Sequence, residues 1–305
     1  MIAKNSIFTS VLVVGCVIIL VSFAIRSSFG VFQIPIAEEF NWLRSEFSLA
    51  IALQNLAWGI GQPIFSAIAE KIGDRRAIII GGFTYASGLL LSSAAMTPQA
   101  HQLYEILVGF GVAGTGFGVI LAVVGRASSE KNRSMSLAIA TASGSAGQVI
   151  GAPIGELLLN YMPWQSVFVI FSITILSTLL LLPFMRVYVS VDQRNATQNM
   201  RDLVGKAVVD PSYSMIFLGF FSCGYQLGFL TAHFPAFVTE MCNPILPASE
   251  IYNLGITSTS ALGAISISLI GLANIAGTLG AGYLGKTYSK KYLLSLIYFG
   301  RTVVC

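Results

Sequence analysis

Long apolar blocks separated by short polar segments run the length of this chain. Their limits predict membrane-spanning helices over residues 8–35, 47–68, 77–96, 103–125, 134–159 and 167–185. Two more follow over 213–238 and 260–284, and a ninth begins near 292 and is cut at 305. Each block is close to the ~20 apolar residues a helix needs to cross the hydrocarbon of a bilayer. The stretch 186–211 breaks the pattern. It is polar, carries Asp192, Arg194, Arg201, Asp202 and Lys206, and is the longest hydrophilic run. The expected organisation is an all-α membrane protein with a six-helix bundle at 1–187, a linker at 188–212 and an incomplete second bundle at 213–305.

Composition strengthens this reading. The chain is 55% hydrophobic and 10% charged, against about 25% charge in a soluble protein. All Lys and Arg except Arg26, Arg44 and Arg301 fall in alternate loops: Lys4; Lys71, Arg75 and Arg76; Arg126, Lys131 and Arg133; Arg186, Arg194, Arg201 and Lys206; Lys286, Lys290 and Lys291. Cytoplasmic loops carry the excess of basic residues, so the N-terminus and the linker are expected in the cytoplasm of a multi-pass cell (inner) membrane protein. Trp42 and Trp164 then fall at the outer interface, where amphipathic rings are favoured. The net charge of +4 lies in loops between apolar blocks and is no nucleic-acid signal. The expected partners are membrane lipid and a small molecule. Cys16, Cys223, Cys242 and Cys305 show no pairing or ligand spacing and read as small buried apolar residues, so no cofactor or metal is expected. The first block runs well past Cys16, whereas the apolar core of a signal peptide stops after about 7–15 residues. A retained helix is expected.

Arg26 sits within that first block. A guanidinium does not shed its charge, and at such depth it costs at least ~2.5–3.5 kcal/mol unless a cavity or counter-anion receives it. No acid of the other blocks is evident at its depth. Glu105 and Glu156 fall near outer ends and are expected to be hydrated. The expectation is that Arg26 meets a transported anion. Gln54, Asn55 and Gln148 are uncharged polar residues within spans, suited to line a cavity or to bond across helices. Aligning Pro35 with Pro235 sets Arg26 against Gln226 and Gln33 against His233, on either side of the linker. Weak repeats of this kind mark transporters built from two halves around a central site. His233 shares a helix face with Gln226 and can titrate near neutral pH.

The turn between the second and third blocks reads Ser66-Ala67-Ile68-Ala69-Glu70-Lys71-Ile72-Gly73-Asp74-Arg75-Arg76, and a degraded copy reads Ala281-Gly282-Tyr283-Leu284-Gly285-Lys286. The fifth block carries Gly144, Gly147, Gly151, Pro153 and Gly155. In these features, and in its layout of six spans, linker and further spans, the chain resembles the major facilitator superfamily. Ile25-Arg26-Ser27-Ser28-Phe29-Gly30 and Leu53-Gln54-Asn55-Leu56 resemble its bacterial monocarboxylate-porter-like branch. The resemblance implies twelve spans, so the chain is expected to be a fragment lacking the C-terminal ones. It also implies a cytoplasmic gate at Ser66, Glu70, Lys71, Gly73, Asp74, Arg75 and Arg76, with Glu70 pairing, in one conformational state, with basic groups near Arg126 or with a helix N-terminus. Ser66 stands where the family has glycine, and Glu70 where it has aspartate. The arginine of the drug/proton antiporters is matched here by an apolar position around Leu107.

Two nucleotide-like patterns are set aside. Gly280 to Thr287 fits GxxxxGK[ST] and Gly109 to Gly114 fits GxGxxG, but spans surround both, and neither has the strand-and-helix context that phosphate binding needs. With no catalytic triad, metal cluster or paired carboxylate visible, no enzyme is expected. The expected function is alternating-access transport of a small organic anion, a monocarboxylate taken up with protons. Arg26 holds the carboxylate, Gln54, Gln148 and Gln226 orient it, and His233 takes or senses the proton. The alternatives are a carrier or exporter of neutral or drug-like solutes and a non-transporting membrane receptor.

Overall fold

A computed structural model of the protein describes residues 7–185, 205, 208–247 and 249–304. Lys4, Cys305 and the linker residues Arg186, Asp192, Arg194, Arg201, Asp202 and Lys206 lie outside the described residues. All described elements are helical. They are α1 (Ser10–Ser28), a 3-10 turn (Phe29–Phe32), α2 (Gln33–Phe40), α3 (Arg44–Ile72), α4 (Asp74–Ser93), α5 (Pro98–Thr115), α6 (Phe117–Ala127), α7 (Glu130–Leu159) and α8 (Trp164–Thr178), extended by a 3-10 segment (Leu179–Phe184). Beyond the linker come α9 (Pro211–Met241), α10 (Glu250–Asn253), α11 (Thr259–Leu284) and α12 (Lys290–Val304).

The helix starts follow from local chemistry. The first amides of a helix need acceptors, and Ser, Thr and Asp side chains supply them, with proline suited to the first turn. Thr9 accepts from the Leu12 amide at 3.1 Å, and Thr97, just before Pro98, from Ala100 at 3.3 Å. Asp210, just before Pro211, accepts from Ser212 at 2.8 Å, and Ser258 accepts from Ala261 at 3.1 Å. Gly73 alone separates α3 from α4 and has φ 95°, a conformation that other residues rarely adopt.

Among the described residues, six stretches are long and apolar enough to cross a membrane: Ser10–Phe40, Pro98–Ala127, Glu130–Leu159, Trp164–Phe184, Pro211–Met241 and Thr259–Leu284. The sequence predicts eight and part of a ninth. In α3, Gln54, Asn55 and Gln62 dilute the apolar run. In α4, Asp74, Arg75 and Arg76 open the helix. α12 has 15 residues.

The first half packs through small residues. A side chain at Gly147 or Gly151 of α7 would collide with the carbonyls of Leu20 and Ala24 in α1, so these helices touch backbone to backbone. One apolar cluster gathers Phe29, Phe32, Phe47, Trp164 and Phe168 towards the Arg44 end. A second gathers Leu12, Ile18, Phe23, Ile120 and Val124 towards the other. Trp164 is buried in the first cluster and donates to Glu39 at 2.6 Å, so it braces α2 instead of lying at an interface with lipid. Cys242 is exposed, while Cys16 and Cys223 are half-buried, which corrects the reading of these thiols as core residues.

The second half meets the first along two lines. α11 lies on α7, where Ser268 donates to the Val149 carbonyl at 2.5 Å and Ser134 to the Gly282 carbonyl at 3.3 Å. α9 lies on the 3-10 turn, where a side chain at Gly30 would strike the Thr231 carbonyl. An Arg44–Glu240 ion pair spans the halves at this end. Beneath it a cavity of about 250 Å³ lies between Gly30, Pro35, Glu156, Pro235, Thr239 and Ser260.

Candidate functional site

Arg26 is 7% exposed, near the last turn of α1. Its Nη2 donates to Asn55 Oδ1 at 2.7 Å, and its guanidinium carbon stands 4.6 Å from the centre of the Trp58 ring. Asn55 and Trp58 are three apart on α3 and so share a face. The Asn55 amide is fixed by its own Nδ2, which donates to the Ile51 carbonyl at 2.9 Å and leaves Oδ1 for the arginine. Both partners of Arg26 are neutral. Among the described residues the ion pairs are Arg44–Glu240 and Arg126–Asp74, and Arg26 is in neither.

Further donors lie on the same walls. Trp58 Nε1 and Gln148 Nε2 are buried without a hydrogen-bond partner among the described residues. Gln148 falls between Gly147 and Gly151, the residues of α7 that abut α1 from Leu20 to Ser27. From the second half, Gly228 of α9 faces the cluster, and a Cβ built there would stand 3.8 Å from Asn55 Nδ2. The buried cation thus lies where the two halves meet.

Gln54, expected beside Arg26, is turned the other way. Its Nε2 donates to Glu105 Oε2 at 2.7 Å, and Ser92 Oγ donates to Glu105 Oε1 at 2.8 Å. Glu105 is fully buried, which overturns its reading as a hydrated residue near a helix end. Helix α5 begins at Pro98, so Glu105 lies two turns inside, enclosed by α3 and α4. Glu156, also expected to be hydrated, is 9% exposed and lines the cavity between the halves. The Tyr85 hydroxyl donates to the Ser22 carbonyl, one turn before Arg26, at 3.1 Å. Two other expected groups, Gln226 and His233, lie on α9. Gln226 accepts from Arg301 Nε at 2.7 Å, and also from its Nη2. The His233 ring lies 5.2 Å from that of Phe229.

At the opposite end Arg126 Nη2 donates to Asp74 Oδ1 at 2.6 Å. The basic group near the turn is therefore taken by Asp74, while Glu70, the expected partner, is exposed. Arg75 donates through Nε to the Met185 carbonyl at 2.7 Å. Lys71 and Arg76 are exposed, and the half-buried Ser66 donates back to the Gln62 carbonyl at 2.9 Å.

Comparison with known proteins decides the family. The family model described as Major Facilitator Superfamily matches residues 14–305. The chain belongs to the Major Facilitator Superfamily. It is 26% identical over 290 residues to an uncharacterised MFS-type transporter, YcxA, of Bacillus subtilis, covering 92% of this chain and 66% of that one. It is 31% identical over 181 residues to monocarboxylate transporter 13 of Bos taurus, covering 56% of this chain and 38% of that one. The chain therefore spans less than two thirds of the length of either relative. A crystal structure of a D-xylose-proton symporter superposes with a TM-score of 0.59 at 15% identity, over 89% of this chain and 67% of that one, and so shares the fold. In this superfamily member, residues 66–76, which suggested the family, run from the end of α3 through Gly73 into α4 and set Asp74 against Arg126.

Asn55, read as a residue to line a cavity or bond across helices, bonds across to Arg26, whereas Trp58 and Tyr85 gave no such signal. Trp58 could have been found from its spacing with Asn55 on one helix face. Nothing local links Tyr85 to Ser22, since that contact spans 63 positions.

Proposed function

We propose that the protein is a secondary transporter that carries a small organic anion, a monocarboxylate, together with protons by alternating access. One observation carries the reading: Arg26 is a permanent cation buried where the two halves meet, and among the described residues it is held by an amide and a ring and by no acid. The guanidinium has five donors, of which one reaches Asn55, and it can grip a carboxylate through two parallel hydrogen bonds. Trp58 Nε1 and Gln148 Nε2 are further donors for the same guest. Gln54 sets the position of Asn55 from the next residue, and Gln226 and His233 approach from α9 as the halves rock. The relative named monocarboxylate transporter 13 supports the substrate class, and the fold shared with a proton symporter supports the coupling. In this reading the N-terminus and the Asp74–Arg126 pair face the cytoplasm, and that pair is a latch broken and remade in each cycle.

The test is uptake of labelled acetate, L-lactate and pyruvate by proteoliposomes holding the full-length protein. Uptake should rise with an inward proton gradient, compete with other carboxylates and be lost in Arg26→Gln. Uptake indifferent to both the gradient and carboxylates rejects the reading.

A further inference from the structure

Among the described residues of the first half, Glu105 is a fully buried acid, and its surroundings suit either protonation state. Each carboxylate oxygen accepts one hydrogen bond, from Gln54 Nε2 and Ser92 Oγ. Both donors can reverse their roles. A serine hydroxyl rotates to accept, and a glutamine amide turned over presents its oxygen. The protonated acid is therefore satisfied by the same two side chains as the carboxylate. A purely structural carboxylate would be expected to face fixed donors such as backbone amides or a guanidinium.

Among the described residues, few titratable or charged groups surround it. From α4 comes Tyr85, which lies within electrostatic reach of both Glu105 and Arg26. On its own helix, four residues back, is His101, whose ring stacks on Phe47 and whose nitrogens have no partner among the described residues. From α1 comes Arg26, beyond Tyr85. α3 presents neutral Gln54, and the Arg126 of α6 is held by Asp74 at the far end. Gln54, bonded to Glu105, and Asn55, bonded to Arg26, are consecutive residues of one helix.

We propose that Glu105 binds and releases the coupling proton, and that its charge sets the anion affinity of Arg26 across Tyr85 and the Gln54-Asn55 pair. The inference rests on the proposed anion transport and moves the proton from His233 to Glu105. The proton adds to a Glu105 carboxylate oxygen on binding and leaves the same oxygen on release, with no other bond changed. With Glu105 ionised, its negative charge offsets Arg26 and competes with the guest. With Glu105 protonated, that offset is gone and an anion binds more tightly. Linkage requires the converse: a bound anion favours the protonated acid. Anion and proton therefore load and leave together.

The experiment measures binding of acetate, L-lactate and pyruvate to the purified full-length protein, with proton uptake on binding read in weak buffer. The parent protein should take up protons as a carboxylate binds, and its affinity should fall at least about fivefold as pH rises, the lower end of typical couplings. Glu105→Gln should bind without proton uptake and hold its low-pH affinity at every pH. In proteoliposomes it should exchange labelled carboxylate across the bilayer but not accumulate it against a gradient. Glu105→Asp should restore the pH dependence. Proton uptake that persists in Glu105→Gln but is lost in His233→Gln overturns the assignment and leaves the transport reading standing. Failure of every carboxylate to bind the parent protein overturns both.

Discussion

Asn55 presents its amide oxygen to Arg26 at 2.7 Å while its amide nitrogen is tied to the Ile51 carbonyl at 2.9 Å. The arginine is thus oriented by a group that brings no charge and cannot turn over freely. Asn55→Asp would put a carboxylate at the same place. The expected result is a folded protein whose carboxylate uptake falls tenfold or more, since an internal ion pair would fill the anion's place, and a charge-assisted hydrogen bond is worth ~1.5–3 kcal/mol. Initial uptake rates against substrate concentration measure this.

Arg26→Lys keeps the charge but loses the planar fork and the stack on Trp58. Uptake should drop about tenfold or more, with the larger change in KM, because one point charge cannot grip both oxygens of a carboxylate. Trp58→Phe keeps a ring without the N–H and should fall between the parent and the lysine variant.

Gly228 leaves room opposite Asn55. Gly228→Ala should transport nearly as the parent does, since its methyl group would stand at ordinary contact distance, 3.8 Å from Asn55 Nδ2. Gly228→Leu should block substrate while leaving thermal stability in detergent within about 1 kcal/mol of the parent, because among the described residues no other atom outside its own stretch of helix lies within 4 Å of the new Cβ.

The Asp74–Arg126 pair joins a carboxyl 10% exposed to a guanidinium 41% exposed. Such a partly solvated pair is worth on the order of 1 kcal/mol or less. Asp74→Asn should therefore leave the fold intact yet shift the balance between the two access states several-fold. Accessibility of single cysteines placed at the two ends reads this shift, and the exchange Asp74→Arg with Arg126→Asp should reverse much of it.

Gly73→Ala should lower stability by ~1–2 kcal/mol, because alanine disfavours the positive φ of this one-residue turn. A thermal melt in detergent measures it. The effect should exceed that of Ser66→Ala, which removes only a bond from a hydroxyl to the backbone of its own helix.

The course of the chain was legible because apolar runs and loop charges are local signals. Arg26 stood out for the same reason: one cation in a run of apolar residues. Its neighbours were not legible, since which face of α3 meets α1 and which meets α5 depends on packing. Gln54 and Asn55 are adjacent in sequence and serve different ions in space. Glu105 was misread because its position was judged from the apolar block starting near 103, whereas the helix starts at Pro98 and its first turns are roofed by α3 and α4. The gate motif was visible, but which acid engages Arg126 depends on the turn at Gly73, which swings Asp74 inward and leaves Glu70 in the open.

Arg75 clamps the carbonyl of Met185, where the chain leaves the first bundle for the linker. Its neighbour in sequence, Asp74, holds Arg126. Tension on the tether between the halves is therefore delivered one residue from the bolt at this end of the bundle. Lengthening or stiffening that tether should alter how readily the bolt slides.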